Sequence, residues 1–268
     1  ELIKILTSIL IQTMNPYTDA ILCQQDLLQP ISNLFIELAS TTEGNNKEIL
    51  DAMLPILTSF FDHKCYQYQC FSIQTFTGLI SSNSTLLLMT EEMRNQVISH
   101  ILTRIAEAIP QVASSAAQFI CRICKNEKSI SMLEPIVDQV LPILLNRLQS
   151  ITNLTSENIV LRETLIAAIA TIVLNIFEDK STFPVNETMP IILKCLPIIK
   201  LIDFNTDVYC FINEMSDFVN EKELQIEYIR IYSWVLARPY EDFELMKIPR
   251  YLFDGIVKIV TQYLGQME

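Results

Sequence analysis

The sequence has little of what catalytic, nucleotide-binding and β-sheet proteins depend on. Its 268 residues include only four glycines, two histidines and one tryptophan. So few glycines, with few of the dipeptides that close β-hairpins, disfavour an all-β or doubly wound fold. Neither common Gly-rich phosphate loop occurs, and the loose cluster of His63, Cys65 and Cys70 falls short of the four ligands of a zinc site. We therefore predict that the protein is not an enzyme and holds no cofactor or metal.

Positive charge is also scarce. Lys and Arg number 19 against 31 Asp and Glu, which gives a net charge of −12. An acidic chain repels nucleic-acid backbones, so no direct nucleic-acid partner is predicted. A basic protein segment is the better electrostatic match. The alternative interpretation is that the charge only keeps an apolar chain soluble.

What the sequence does contain is apolar surface. Half of its residues are hydrophobic, yet the longest apolar stretch, 164–177, is shorter than the roughly 20 residues that span a bilayer. No membrane insertion is predicted. The seven cysteines are odd in number and lie mostly in apolar runs, which indicates reduced core thiols in a cytosolic or nuclear compartment. Cys121 and Cys124 have zinc-motif spacing but no second pair, so we interpret them as core thiols.

Helical periodicity runs through nearly the whole chain. The connections are short and polar, and no linker is long enough to separate domains. A single array over 1–268 is therefore predicted. The predicted helices are 1–14, 24–40, 46–62, 66–81, 90–109, 111–125, 131–150, 156–178, 187–200, 206–220, 222–237 and 249–265.

A proline motif repeats along the chain. "MLPIL" around Pro55 recurs as "VLPIL" around Pro142 and as "TMPIIL" around Pro190, at separations of 87 and 48 residues. The first separation corresponds to two repeats and the second to one repeat, with a period near 40–48 residues. The repeat between the first two prolines lacks the motif and would fall near residue 98. A helix pair of about that length is typical of HEAT or armadillo repeats. We predict an all-α, right-handed HEAT-repeat α-solenoid of about six helix pairs.

Two prolines in one predicted helix need a structural explanation. Pro190 and Pro197 are seven residues apart, close to two helical turns, and would lie on one side of a helix over 187–200. Pro190 fits the first turn, where its missing N–H costs nothing. Pro197 would bend or end the helix near its last turn.

Three segments resemble a known family. "TMPIILKCLPI" at 188–198 is similar to the Leu-Pro-x-x-Leu-x-x-Leu-Pro-Leu segment near the C-terminus of importin-β-like karyopherins of the beta-3 type. "SENIVLRETLIAAIATIV" at 156–173 resembles that family's preceding helix, and 116–150 resembles the repeat before it. The resemblance covers roughly 110–236, whereas 1–109 share only general HEAT character.

The resemblance implies nuclear transport. Receptors of that family bind basic cargo proteins, carry them through pores lined by Phe-Gly nucleoporins, and release them to Ran-GTP, so cytoplasmic and nuclear shuttling is implied. Ran binds mainly the N-terminal repeats, which a C-terminal fragment would lack; the absent initiator Met suggests such a fragment. The alternative is a HEAT-repeat scaffold subunit that binds another protein partner without Ran dependence.

One acidic stripe is the main candidate binding surface. On a helix continued over 205–221, the carboxylates fall within about 80° of one another, opposite an apolar face. We predict a contact for a Lys/Arg-rich cargo segment; the alternative is a solvated face. The stripe consists of Asp207, Glu214, Asp217 and Glu221.

Aromatic residues form a second candidate near the C-terminus. Trp234, with Tyr228, Tyr232 and Tyr240, is suited to grip an extended peptide or Phe-Gly repeats. The alternative is core packing or a terminal cap, because a repeat array needs an atypical last repeat.

Overall fold

The computed structural model describes residues 5, 25–41, 46–81, 89–107, 109–238 and 246–267. Regular structure in these segments is entirely helical, as predicted. The α-helices are α1 (Gln25–Thr41), α2 (Asn46–Phe61), α3 (Tyr66–Ser81), α4 (Glu91–Glu107), α5 (Pro110–Cys124), α6 (Val137–Ser150), α7 (Ser156–Ile176), α8 (Val185–Lys194), α9 (Asn205–Met215), α10 (Lys222–Leu236) and α11 (Arg250–Met267). The helix predicted over 1–14 lies outside the described residues, except for residue 5.

The chain divides into two compact units. Unit 1 is Glu1–Ile136 and unit 2 is Val137–Glu268. The single array predicted over 1–268 stays a prediction, and each unit is described by itself.

In unit 1, alternate helices form one layer. α3 packs against both α1 and α5, while α2 packs against α1 and α3, and α4 packs against α5. Small buried residues on α5, such as Ala113, Ala116 and Ala117, leave room for neighbouring helices to approach. Odd-numbered helices therefore form the shared layer, and even-numbered helices cover it.

Unit 2 follows the same alternation. α7, α9 and α11 pack in one layer and α6, α8 and α10 in the other, with α6 against α7 and α10 against α11. α7 is the central helix of the core, because nearly all its residues from Leu161 to Val173 are buried. Consecutive helices thus alternate between two layers, as expected for a chain of stacked helix pairs.

The repeated prolines all lie inside even-numbered helices. Pro55 is in α2, Pro142 in α6 and Pro190 in α8, and the repeat without the motif, near residue 98, has α4 at this position. Pro55 and Pro142 are exposed, so water can bind the carbonyl that each proline leaves without its usual donor. The spacing deduced from the sequence is confirmed.

The helix predicted over 187–200 is present, but its predicted end is wrong. α8 begins at Val185, directly after Pro184, and ends at Lys194, so Pro190 lies in the second turn rather than the first. The next residues are not helical, and the Leu196–Pro197 peptide bond is cis. The prediction failed because it treated the segment as local, whereas a distant carboxylate binds its backbone.

That carboxylate belongs to Glu163 on α7, which is completely buried. The backbone N–H of Ile199 donates to its Oε1 at 2.9 Å, that of Leu201 donates to its Oε2 at 2.8 Å, and the N–H of Lys200 contacts both oxygens. A buried carboxylate is tolerated when hydrogen bonds replace its hydration. Glu163 therefore fixes the extended connection between α8 and α9 onto α7.

Removing that charge should destabilise unit 2. We expect Glu163→Gln to lower the free energy of unfolding by about 2–4 kcal/mol, because an amide NH₂ would face the backbone N–H donors. Trp234 is the only tryptophan, so its fluorescence during urea unfolding reports unit 2. Glu157→Gln, an exposed change on the same helix, is the matched control. Equal stability of the two variants would contradict this role.

Candidate functional site

Unit 1 contains a polar groove, which we name the amide groove. It crosses α1, α3 and α5, the three helices of the shared layer, and has a volume of about 440 Å³. Its lining residues are Gln29, Ser32, Asn33, Ile36, Gln74, Thr77, Gly78, Ser115, Gln118 and Arg122.

One glutamine from each helix of that layer reaches the amide groove. Forty-five residues separate Gln29 from Gln74, and 44 separate Gln74 from Gln118. These separations match the repeat period, so the three side chains occupy equivalent positions in successive helix pairs. Gln29 Nε2 donates to Asn33 Oδ1 at 3.0 Å. The exposed Arg122 places a positive charge at the α5 end of the groove.

Unit 2 contains a second surface, which we name the acidic groove. It consists of two adjoining cavities of about 390 and 470 Å³ that share Phe183, Pro184 and Glu187. The first lies between α6 and α8, and the second extends to the 3₁₀ turn Ser216–Phe218. Asp138, Glu187 and Asp217 are its carboxylates.

The predicted acidic stripe does not lie on one helix. α9 ends at Met215, Asp217 belongs to the following 3₁₀ turn, and Glu221 is the residue before α10. The acidic and apolar residues keep a helical spacing beyond Met215, so the sequence pattern did not show that the helix ends there. Asp217 therefore lines the acidic groove, apart from Asp207 and Glu214, and the binding role of all four stays a prediction.

The two stripe residues on α9 have neighbours within the protein. Glu214 pairs with Lys180, with 3.3 Å between Oε2 and Nζ. Burial first, and then the carboxylates of Glu214 and Asp207, raise the pKa of the Cys210 thiol. Since Glu214 already has a cation, it is a weaker candidate for binding a partner than the sequence suggested.

The aromatic cluster divides into core and surface. Tyr228 and Tyr232 are buried, and the hydroxyl of Tyr228 donates to the Ile212 carbonyl at 3.2 Å. Trp234 is half-buried, with the Arg238 guanidinium 4.2 Å from its ring centroid. The tyrosines therefore pack in the core, which was the predicted alternative. Tyr240 lies outside the described residues, and the binding role of Trp234 stays a prediction.

The cysteine pair is part of the core. Cys121 and Cys124 are buried, and burial raises the pKa of the Cys124 thiol. Their interpretation as core thiols is confirmed. Across the described segments, no three His, Cys, Asp or Glu side chains converge as metal ligands.

α7 has the length and composition of a membrane span. Among the described residues it is the one helix that qualifies, with a mean hydropathy of 1.9 over its most apolar window. The apolar stretch judged too short from the sequence thus belongs to a helix of 21 residues. Since 67% of that window is buried inside the protein, its apolar residues serve the core of unit 2.

Comparisons with known proteins identify the fold. No protein-family model and no curated protein sequence match the chain. Solved structures do match. Computationally designed armadillo repeat proteins for modular peptide recognition align with a TM-score of 0.54 at 15% identity, over 95% of this chain and 98% of theirs. The chain has a helical-repeat, α-solenoid fold.

Two further structures agree. Another designed armadillo repeat protein aligns with a TM-score of 0.55 at 15% identity, covering 96% of this chain and 98% of that one. An engineered protein aligns with a TM-score of 0.53 at 14% identity, covering 94% and 98%. Folds of this kind usually serve as binding scaffolds rather than enzymes.

Neither groove was predicted from the sequence. The glutamine spacing was visible in the sequence, but glutamines are common on exposed helix faces and carry no signal of their own. Asp138 and Glu187 each lie in the first turn of a helix, where an acid is expected in any case. Only packing brings each set of residues together.

The floor of the amide groove depends on a glycine. A Cβ at Gly78 would lie 2.1 Å from Ile36 Cδ1 and 2.5 Å from its Cγ1. We expect Gly78→Ala to lower the free energy of unfolding by about 1–2 kcal/mol, because overpacking outweighs the gain in helix propensity. Thermal unfolding followed by circular dichroism, with hydrogen exchange of α1 and α3, measures this.

Two variants complete the test. Gly265 has open space around its Cβ position, so Gly265→Ala should not destabilise the protein. Ile36→Ala removes the contacting atoms, so the double variant Ile36→Ala/Gly78→Ala should lose less stability than the two single variants added together. Additive losses would mean that the two helices do not meet at Gly78.

Proposed function

We propose that this protein is a non-catalytic scaffold that binds an extended segment of a partner protein in its amide groove. The observation that carries the proposal is the recurrence of Gln29, Gln74 and Gln118 at the repeat spacing, one on each of three neighbouring helices. Because the same glutamine amide recurs at regular intervals, the groove suits a ligand that is itself a regular polymer, such as an extended polypeptide.

The chemistry of an amide matches a peptide main chain. Each glutamine offers two N–H donors and a carbonyl acceptor, and an extended chain needs both kinds of partner. Packed helices lie roughly 8–10 Å apart and an extended chain advances about 3.3 Å per residue, so one glutamine would meet the peptide about every three residues. Arg122 would favour a carboxylate in the segment that reaches α5.

The comparisons support a binding role at the level of fold. The designed armadillo repeat proteins that align with this chain were made for modular peptide recognition. Their sequence identity of 15% transfers no binding residue to this chain. The amide groove supplies its own residues for that role.

For the biological setting, we propose a nuclear transport receptor. The support is the resemblance of 116–150, 156–173 and 188–198 to importin-β-like karyopherins. In this proposal the chain is part of a receptor that shuttles between cytoplasm and nucleus, binds basic cargo and Phe-Gly nucleoporins, and is controlled by Ran-GTP bound mainly elsewhere. A scaffold subunit with a fixed protein partner and no response to Ran is the competing proposal.

Peptide selection tests the amide groove. Random linear peptides of about 12 residues are long enough to cross three helices and are selected by phage display on the full chain. We expect enriched peptides to bind Gln29→Ala/Gln74→Ala/Gln118→Ala about 10–100-fold more weakly, because each main-chain hydrogen bond contributes about 0.5–1.5 kcal/mol. Fluorescence anisotropy with the synthetic peptides measures the affinities.

The control removes three glutamines elsewhere. Gln96, Gln111 and Gln139 are exposed, and Gln96→Ala/Gln111→Ala/Gln139→Ala should bind the same peptides as the unmodified chain does. N-methylation of the peptide backbone should weaken binding as much as the groove variant does. Peptides that bind both triple variants equally would refute the proposal.

Salt dependence tests the basic-cargo prediction. A labelled Lys/Arg-rich import-signal peptide should bind more tightly at roughly 50 mM than at roughly 200 mM salt, where charges are more strongly screened. Asp207→Asn/Glu214→Gln/Asp217→Asn should then weaken binding, with Asp217 accounting for most of the loss because Glu214 is paired with Lys180. Binding of labelled Phe-Gly repeat peptides to the chain separates a transport receptor, which would bind them, from a scaffold, which would not.

A further inference from the structure

We propose that the acidic groove is a second binding site, which takes a partner segment with one bulky apolar side chain flanked by Lys or Arg. The apolar side chain would insert between α6 and α8, and the basic residues would meet the surrounding carboxylates. Because the site lies in the other unit and uses different chemistry from the amide groove, it does not rest on the proposed peptide scaffold.

The centre of the acidic groove is apolar. Leu145 of α6 and Ile191 of α8 are half-buried on facing walls, and the buried Phe183 lies beneath the cavity that they share. A volume of about 390 Å³ gives room for a large side chain. Removing such a side chain from water supplies the main favourable free energy of binding.

The edge of the acidic groove is negatively charged. Asp138 and Glu187 lie on opposite walls of the first cavity, and Asp217 extends the charge into the second. Among the residues that the structure describes, no Lys or Arg lines either cavity. The nearby Lys180 is paired with Glu214, so the three carboxylates keep their charge available for a basic partner.

The prolines add main-chain acceptors to this edge. Pro142 has no N–H to donate to the Asp138 carbonyl, and Pro190 has none for the Asn186 carbonyl. Asp138 lines the first cavity and Asn186 the second. Each carbonyl therefore lacks its usual intrahelical donor and can accept from Lys or Arg, which are donor-only groups.

Charge also selects among possible occupants. The chain carries a net charge of −12, so a second copy would bring more negative charge to a groove that already has three carboxylates. A basic segment of another protein is steered toward the groove, and its apolar side chain fixes the docking position.

Direct binding tests the proposal. The probe is a labelled peptide of roughly ten residues with a central Phe between Lys residues, added to the full chain at roughly 50 and 200 mM salt. We expect Asp138→Asn/Glu187→Gln to weaken binding by about 5- to 20-fold at the lower salt concentration, a moderate loss because each exposed charge contributes little by itself. The loss should be smaller at the higher salt concentration, where charges are more strongly screened.

A matched variant controls for net charge. Glu91 and Glu92 lie exposed in the first turn of α4 in unit 1, so Glu91→Gln/Glu92→Gln removes two charges from an equivalent helix position. This variant should keep the affinity of the unmodified chain. Trp234 fluorescence during unfolding checks that the groove variant remains folded.

The apolar contact is tested by changing the peptide side chain and the walls of the cavity, separately and together. Replacing the Phe of the peptide by Ala should weaken binding to the unmodified chain by about tenfold. The same peptide change should have little effect on Leu145→Ala/Ile191→Ala, which lacks the walls of the cavity. Equal losses from the peptide change on both proteins, or equal binding by the two charge variants, would overturn the proposal and leave only nonspecific attraction.

Discussion

The hydrogen bonds accepted by Glu163 are the interaction on which the arrangement of unit 2 depends. A carboxylate at the centre of an apolar helix is costly unless donors surround it, and the backbone N–H groups of 199–201 are those donors. By accepting these hydrogen bonds, Glu163 holds the connection between α8 and α9 against α7 in an extended conformation. α8 therefore ends at Lys194 and α9 starts at Asn205, which separates these helices into different layers.

The alternation of layers gives the protein two kinds of surface. In unit 1 the shared layer presents the glutamines of the amide groove, and in unit 2 the layer of α6 and α8 forms the walls of the acidic groove. Pro142 and Pro190 mark successive repeats in the sequence and also leave main-chain carbonyls without intrahelical donors. The recurring prolines thus mark the repeat in the sequence and also shape the surface of the acidic groove.

The distribution of charge depends on where helices end. A helical wheel over 205–221 groups four acids, but α9 stops at Met215. Asp217 then faces the segment that begins α8, and Glu187 joins it in the acidic groove. A net charge of −12 indicated an acidic surface only in general terms; the packing of α6, α8 and the turn after α9 decides which carboxylates share a groove.

The sequence by itself determined the helical class, the repeat period and most helix positions, because apolar periodicity and proline spacing are local properties. It also assigned the cysteine pair to the core, whereas it left the tyrosines open between peptide binding and core packing. Tertiary structure decided the end of α8, the break after Met215, and the membership of both grooves. Those features depend on residues about 30–45 positions apart that the fold brings together: Glu163 accepts from the N–H of Ile199, and Gln29 and Gln74 line one groove. No local pattern encodes such proximity.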